Sequence, residues 1–168
     1  MYLRTILELY KEYGFKKFMV VVPSIAIRKG VEKSMEQLQD HFKRLYDVDL
    51  SKHSFIYDSN NPKQVSSKLV ESNDLCICVM NIQAFNKNTN KIRTEDEYGQ
   101  ILWEDIKYIK PIIIIDEPQK IEGTKRNKSK SLKAIEELQP LFTLRYSATH
   151  KQLYNQIYKL DSLSLIHI

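Results

Sequence analysis

Two adjacent carboxylates, Asp116 and Glu117, follow the most uniformly apolar run of the sequence, the four isoleucines at 112–115. An apolar run without alternation predicts a strand buried on both faces, as in a parallel sheet covered by helices. Ligands of such sheets bind just beyond the carboxyl ends of the strands. An acid there can hold a hydrated magnesium ion while its neighbour orients or deprotonates a water. The alternative is that both acids only solvate a strand end.

A second polar motif follows the apolar run 18–22. Pro23 and Ser24 come directly after that run, and Arg28 lies one helical turn further on. A hydroxyl at the start of a helix can cap the helix or contact a phosphate, and neither role excludes the other. This motif therefore marks a second strand end with groups suited to an anion.

A third polar motif, Ser147-Ala148-Thr149, follows the apolar run 142–146. Parallel strands all end at the same edge of their sheet, so we expect the three motifs to face one rim. Random solvation of strand ends would not favour a single edge. This coincidence shifts the interpretation from solvated strand ends toward a functional site.

The remaining pattern alternates strands and helices. Apolar runs predict strands over residues 18–22, 53–57, 75–80, 111–115 and 142–146. Helical spacing predicts helices over residues 2–13, 27–45, 62–71, 103–109 and 132–138. The helix over 62–71 should begin with Asn61 as its cap and Pro62 in its first turn. The helix over 27–45 should pack one face on the sheet through Ile27, Val31, Met35, Leu38, Phe42 and Leu45.

These elements predict an α/β fold with about five strands in a mostly parallel sheet, sandwiched by helices and joined by right-handed crossovers. The polar stretch 86–100 is interpreted as a loop or an insertion. A length of 168 residues is typical of one domain with a core. We assign residues 1–160 to this domain and leave 161–168 as an unaligned apolar tail.

The composition, 42% hydrophobic and 28% charged residues, excludes a disordered chain. No apolar run approaches the roughly 20 residues needed to span a bilayer, and the first residues do not form a signal peptide. We therefore expect a cytoplasmic protein with no membrane contact. The two cysteines, Cys76 and Cys78, should lie on one face of a buried strand as small hydrophobic residues rather than as metal ligands.

The net charge of +5 is concentrated between Lys120 and Lys133, where six basic residues stand against the single acid Glu122. A basic segment directly after the acidic strand end could attract the phosphates of a nucleic acid. The alternative is a solvated loop, which is the more common structure of charged segments of this kind.

Three segments taken together, VVVPSIAIRKGV, IIIIDEPQ and YSATH, resemble motifs Ia, II and III of the superfamily 2 helicases. The form Asp-Glu-Pro-Gln with its flanks resembles the restriction (Res) subunit of type III restriction-modification enzymes. The resemblance covers nearly the whole chain, from about residue 2 to residue 160. It implies a RecA-like domain of the P-loop NTPase class, ATP and Mg²⁺ as cofactors, double-stranded DNA as substrate, and a modification (methyltransferase) subunit as partner.

The resemblance also implies roles for individual residues. Asp116 would bind the magnesium of a Mg-nucleotide through water, and Glu117 would activate the water that attacks the γ-phosphate. Nucleotide sensing and its coupling to DNA would fall to Gln119, Ser147, Ala148 and Thr149. Contacts to the DNA backbone without base specificity would come from Pro23, Ser24, Arg28, Gln83 and Lys87.

One motif of the family is missing from this sequence. The four glycines, at positions 14, 30, 99 and 123, do not form the phosphate-binding pattern Gly-x-x-x-x-Gly-Lys-Ser/Thr. That pattern supplies the backbone N–H groups and the lysine that hold the phosphates. We therefore interpret the chain as an incomplete RecA-like domain and expect it to hydrolyse ATP little or not at all in isolation.

Two other interpretations remain open at this stage. In the first, the chain is a non-catalytic DNA-binding module in which Arg28 and the basic segment hold phosphates and the acids are vestigial; its DNA binding would fall steeply with salt and ignore nucleotide. In the second, the chain is an unrelated α/β protein, such as a receiver-like or hydrolase domain, with Asp116 as nucleophile. That interpretation needs further acids or a lysine at neighbouring strand ends.

Overall fold

Five parallel strands form one sheet in the computed structural model, which describes residues 2–123, 128–147 and 155–157. The strands are β1 (Lys17–Val22), β2 (Ser54–Ile56), β3 (Cys76–Asn81), β4 (Ile112–Asp116) and β5 (Thr143–Tyr146). Their order across the sheet is β2-β3-β1-β4-β5, and every pairing is parallel. The prediction of an α/β fold with a parallel sheet is confirmed.

Helices cover both faces of the sheet. One face packs against α1 (Tyr2–Tyr13) and α2 (Ile25–Tyr46), with Leu50 of the short α3 (Leu50–His53) in the same core cluster. The other face packs against α4 (Lys63–Val65) with the π-helical turn after it (Ser66–Glu71), α5 (Leu102–Ile109) and α6 (Lys130–Glu137). Among the described residues, no helix is both long enough and apolar enough to cross a bilayer.

The central strands lack polar alternation because both of their faces are covered. In β4, Ile113 and Ile115 belong to one core cluster, and Ile112 and Ile114 belong to the other. In β3, Cys76 and Cys78 point to the same face as buried free thiols, as alternation predicts. Burial raises the pKa of the Cys76 thiol to about 11, so it stays protonated.

The inward face of α2 differs from the prediction. Leu38 and Leu45 are 38% and 60% exposed, and Tyr46 is buried in their place. The buried positions of this helix are Val31, Met35, Phe42 and Tyr46. At about 100° per residue these four positions fall on one side of the helix, and Leu38 and Leu45 both fall toward one edge of that stripe, where they meet solvent.

Two local predictions also need correction. The helix predicted from Asn61 begins at Lys63 without a side-chain cap, and it continues as the π-helical turn. The short α3 was not predicted, although the Asp49 side chain caps it by accepting a hydrogen bond from the Ser51 N–H. The polar stretch 86–100 is a loop, as predicted, and it contains a 3-10 turn (Lys91–Arg93) whose Ile92 is fully buried.

Candidate functional site

The pairing register brings the polar strand ends to one rim of the sheet. Val22 at the end of β1 pairs with Asn81 at the end of β3. On the other side of β1, Val21 pairs with Ile115, and Asp116 in turn pairs with Tyr146 of β5. The motifs that follow these strands therefore start level with one another.

The chain turns sharply at Glu117. This residue has φ 56° and ψ 57°. Residues other than glycine, asparagine and aspartate seldom adopt this left-handed backbone conformation. Its N–H donates to the carbonyl oxygen of Tyr146 at 3.0 Å, and its carbonyl accepts from the N–H of Lys120 at 2.9 Å. A 3-10 turn (Pro118–Lys120) follows directly. The turn thus holds both acids at the rim, at a backbone cost of about 1–2 kcal/mol.

Gln119 connects the segment 116–122, here called the acid turn, to the end of β5. The Ser147 hydroxyl donates to Oε1 of Gln119 at 2.8 Å. The side-chain amide of Gln119 in turn donates to Oε2 of Glu117. Lys120 Nζ lies 4.0 Å from the same Glu117 oxygen. A continuous hydrogen-bonded chain therefore runs from Ser147 through Gln119 to the carboxylate of Glu117.

Asp116 lies beside the start of α1. Burial, and then the charge of Glu117, raise the pKa of the half-buried Asp116 carboxyl. Burial also raises the pKa of the Tyr2 phenol, with a further contribution from Asp116. The rings of Tyr2 and Tyr146 meet edge to face at 5.6 Å, and the Tyr146 hydroxyl donates to Oγ1 of Thr5 at 2.7 Å. These contacts fix α1 against the strand that pairs with Asp116.

We expect the substitution Asp116→Asn to stabilise the folded chain at neutral pH. Because folding raises the pKa of Asp116, the ionised carboxyl disfavours the folded state. The chain is therefore more stable when Asp116 is protonated, and this part of its stability is lost as the pH rises through the raised pKa. Removing the charge should raise the free energy of unfolding at pH 7 by less than about 1 kcal/mol, since water screens the half-exposed group. The gain should vanish near pH 3, as measured by urea unfolding in EDTA.

Asp96→Asn is the matched control of opposite sign. Backbone N–H groups of Gln100 and Tyr98 hold the pKa of the Asp96 carboxyl below its usual range. Its stabilising contribution is therefore present at neutral pH and is lost as pH falls through the lowered pKa, so this substitution should destabilise the chain at pH 7. An Asp116→Asn variant that is less stable than wild type at pH 7 would contradict the prediction.

The other predicted contact residues lie across the neighbouring strand ends. Ser24 caps α2 by accepting from the Ile27 N–H at 3.3 Å, so its capping role is realised. The side-chain amide of Gln83 donates to the carbonyl of Pro23 at 3.0 Å, which links the ends of β3 and β1. Arg28 lies in the first turn of α2 and is partly exposed.

Lys87 sits in a short loop that hydrogen bonds hold in shape. Its N–H donates to Oδ1 of Asn90 at 2.8 Å, and the Asn90 amide donates to the carbonyl of Gln83 at 3.0 Å. The Lys87 side chain itself is exposed. The loop therefore presents this lysine at the rim beside Gln83.

Some predicted residues lie outside the described part of the chain. They are Ala148, Thr149, Lys125, Arg126 and the tail 161–168. Within the described part of the basic segment, Lys128 forms an ion pair with Glu136 at 2.6 Å, and both partners are about half exposed. Lys130 and Lys133 are exposed.

Two interactions near the site were missed by sequence reasoning. Arg145 donates to the buried carboxylate of Glu122 at 2.7 Å. The Arg93 guanidinium lies 3.9 Å above the Trp103 ring and donates to Glu137 at 2.9 Å. Glu122 stands out in the sequence as the single acid within the basic segment 120–133, but that pattern does not identify Arg145 as its partner.

The chain is similar to known proteins along most of its length. The family profile described as "Type III restriction enzyme, res subunit" matches residues 1–152. The chain is 26% identical over 181 residues to the EcoP15I Res subunit of Escherichia coli and to the EcoPI Res subunit of Escherichia phage P1, covering 96% of this chain and 18% of each relative. It is 27% identical over 170 residues to the StyLTI Res subunit of Salmonella typhimurium, covering 88% of this chain and 16% of that relative.

Proposed function

The chain belongs to the family of type III restriction enzyme Res subunits, and from that premise we propose that it forms part of an ATP-dependent DNA translocase motor within a longer restriction endonuclease subunit. The chain spans less than one fifth of the length of the three relatives. In this proposal the motor moves along double-stranded DNA, and a separate modification subunit reads the DNA site.

The observation that carries this proposal is the hydrogen-bonded chain from Ser147 through Gln119 to Glu117, beside Asp116. A carboxylate held by a neighbouring amide is oriented to accept a proton from a water. Gln119 contacts both the acid turn and the end of β5, so a change at the nucleotide can pass to Ser147. In this proposal Glu117 activates the attacking water, and Gln119 and Ser147 couple hydrolysis to DNA.

The side chains present fit a magnesium ion of the kind that accompanies ATP. Mg²⁺ keeps several waters and binds through one or two carboxylates and the phosphates of its nucleotide. Asp116 offers one half-buried carboxylate at the rim, and the described residues contain no cluster of three or more His, Cys, Asp and Glu that would form an all-protein cage. The ion would neutralise charge on the phosphates, while Asp116 would hold its water shell.

The DNA track in this proposal follows the ends of β1 and β3. Arg28 and Lys87 supply positive charge toward phosphates, and the bond from Gln83 to the Pro23 carbonyl fixes their two supporting segments together. Contacts of this kind position a backbone without reading bases. Mutation of either cation should therefore weaken binding to DNA of any sequence to a similar extent.

The test is steady-state ATP hydrolysis by the full-length subunit, with and without duplex DNA. We expect Mg²⁺-dependent turnover that rises when DNA is added. The isolated 168-residue chain should show little or no turnover. Its sequence has no phosphate-binding loop to stabilise the charge that develops on the γ-phosphate in the transition state. Failure of the full-length subunit to hydrolyse ATP, combined with salt-sensitive DNA binding that ignores nucleotide, would instead favour a non-catalytic DNA-binding module.

A further inference from the structure

Glu122 is a buried charge close to the proposed site. It is 2% exposed, and within the described residues it is the charged side chain that the core encloses. Charged residues are rarely buried so completely unless they are paired. Oε1 of Glu122 accepts a hydrogen bond from Nε of Arg145 at 2.7 Å, and the Arg145 side chain is 21% exposed.

The position of this pair relates it to the acid turn. Glu122 follows the 3-10 turn after the acids, and its N–H donates to the carbonyl of Pro118 at 2.9 Å. Arg145 of β5 pairs with Ile115 of β4 and lies two residues before Ser147, which directly follows the strand. The ion pair therefore joins the far end of the acid turn to the same strand end that its near end contacts.

Among the described residues, at least three hydrogen bonds connect the acid turn with the end of β5. Two lie near the acids: the Glu117 N–H donates to the carbonyl of Tyr146, and the Ser147 hydroxyl donates to Oε1 of Gln119. The third is the bond between Glu122 and Arg145. The Ser129 N–H, at the start of α6, also donates to the Glu122 carbonyl at 3.1 Å, so the far end of the turn is held there as well, and the ion pair adds a direct bond from that end to β5.

We propose that Glu122 and Arg145 form a positioning pair that fixes the acid turn on β5, so that Glu117 and Gln119 keep the geometry needed for ATP hydrolysis. This inference rests on the proposed function. Neither side chain is a catalytic residue, since each acts through the turn that it holds.

The physics of buried ion pairs separates positioning from stability. Replacing both partners of such a pair with apolar residues is often neutral or stabilising, because the desolvation cost disappears together with the attraction. The charge-assisted bond is directional, however, and an apolar contact is not. A pair kept for orientation should therefore matter for turnover even where the fold survives without it.

The test uses the full-length subunit with two variants, Glu122→Gln and the double variant Glu122→Leu with Arg145→Met. We expect both to lower kcat for DNA-stimulated ATP hydrolysis at least about tenfold, while KM for ATP changes less than about twofold. The matched control is Glu136→Gln, which removes the exposed ion pair with Lys128 and should leave kcat unchanged. Circular dichroism and thermal midpoints establish that each variant is folded.

Several outcomes would overturn the inference. Wild-type kcat in the folded double variant would show that the pair is only structural, and so would loss of folding in both variants. Glu117→Gln, assayed in parallel, separates this inference from the proposed function. If Glu117→Gln abolishes turnover while Glu122→Gln retains it, the positioning inference fails alone; if wild type and Glu117→Gln hydrolyse ATP equally, both fail.

Discussion

Glu117→Gln is expected to lower the rate of ATP hydrolysis by the full-length subunit by about 10²–10⁴-fold, the usual contribution of a positioned general base. The substitution keeps the size of the side chain and replaces the proton-accepting carboxylate with an amide. Gln119 already donates its amide to the Glu117 carboxylate, so the new amide can still be held in place. The loss should therefore appear in kcat, with little change in the affinity for ATP.

The measurement is single-turnover and steady-state hydrolysis of ATP with saturating DNA, beside nucleotide binding measured separately. Glu95→Gln is the matched control, because Glu95 is exposed in the loop before α5 and carries no role in the proposal. A Glu117→Gln variant that retains turnover within a few-fold of wild type would contradict the assignment of Glu117 as the base. Loss of turnover together with loss of ATP binding would point to a collapsed turn instead.

The sheet could be predicted from the sequence because its strands are buried on both faces. The isoleucines of β4 and the valines of β1 leave little choice except a covered parallel strand. Parallel pairing then puts every carboxyl end at one rim, so the approach of Asp116 and Ser147 followed from the fold class. The predicted strand ends agree with those of the structure to within about one residue. The reason is the same, because polar residues begin where the helices no longer cover the sheet.

Contacts between distant side chains could not be predicted in the same way. Glu122 and Arg145 are separated by 23 residues, and nothing in the local pattern of either indicates the other. The left-handed backbone of Glu117 is likewise set by its bond to Tyr146 and not by a residue type that prefers this conformation. Departures of this kind are expected where a chain serves a site as well as its own stability.

The loop over 86–100 shows how tertiary contacts override a polar composition. Nε of Arg93 donates to the carbonyl of Phe85 at 2.6 Å, and its guanidinium covers the face of Trp103. Phe85 stacks on Trp103 with ring centroids 5.3 Å apart. Because Phe85 directly precedes the loop that carries Lys87, this cluster connects the core beneath α5 to the proposed DNA-contacting segment.

Trp103→Ala is expected to be among the most destabilising single substitutions in this chain. The side chain is almost fully buried, and truncating a buried tryptophan to alanine costs about 3–5 kcal/mol through lost transfer energy and the cavity left behind. The substitution also removes the N–H that donates to Glu137 at 3.2 Å and the ring that Arg93 covers. Since domains of this size are stable by only about 5–15 kcal/mol, urea unfolding should show a large fall in the transition midpoint.

Tyr108→Ala on the same helix is the matched control, because Tyr108 is 89% exposed and its removal should change stability by no more than about 0.5 kcal/mol. Equal midpoints for the two variants would contradict the cluster's role. A functional consequence follows from the same contacts. When Trp103 is removed, Arg93 and Phe85 lose the surface that orders them, so a folded Trp103→Ala variant of the full-length subunit should bind DNA more weakly while its nucleotide affinity stays close to wild type. A variant that loses nucleotide affinity and DNA affinity to the same extent would indicate general unfolding instead of a displaced loop.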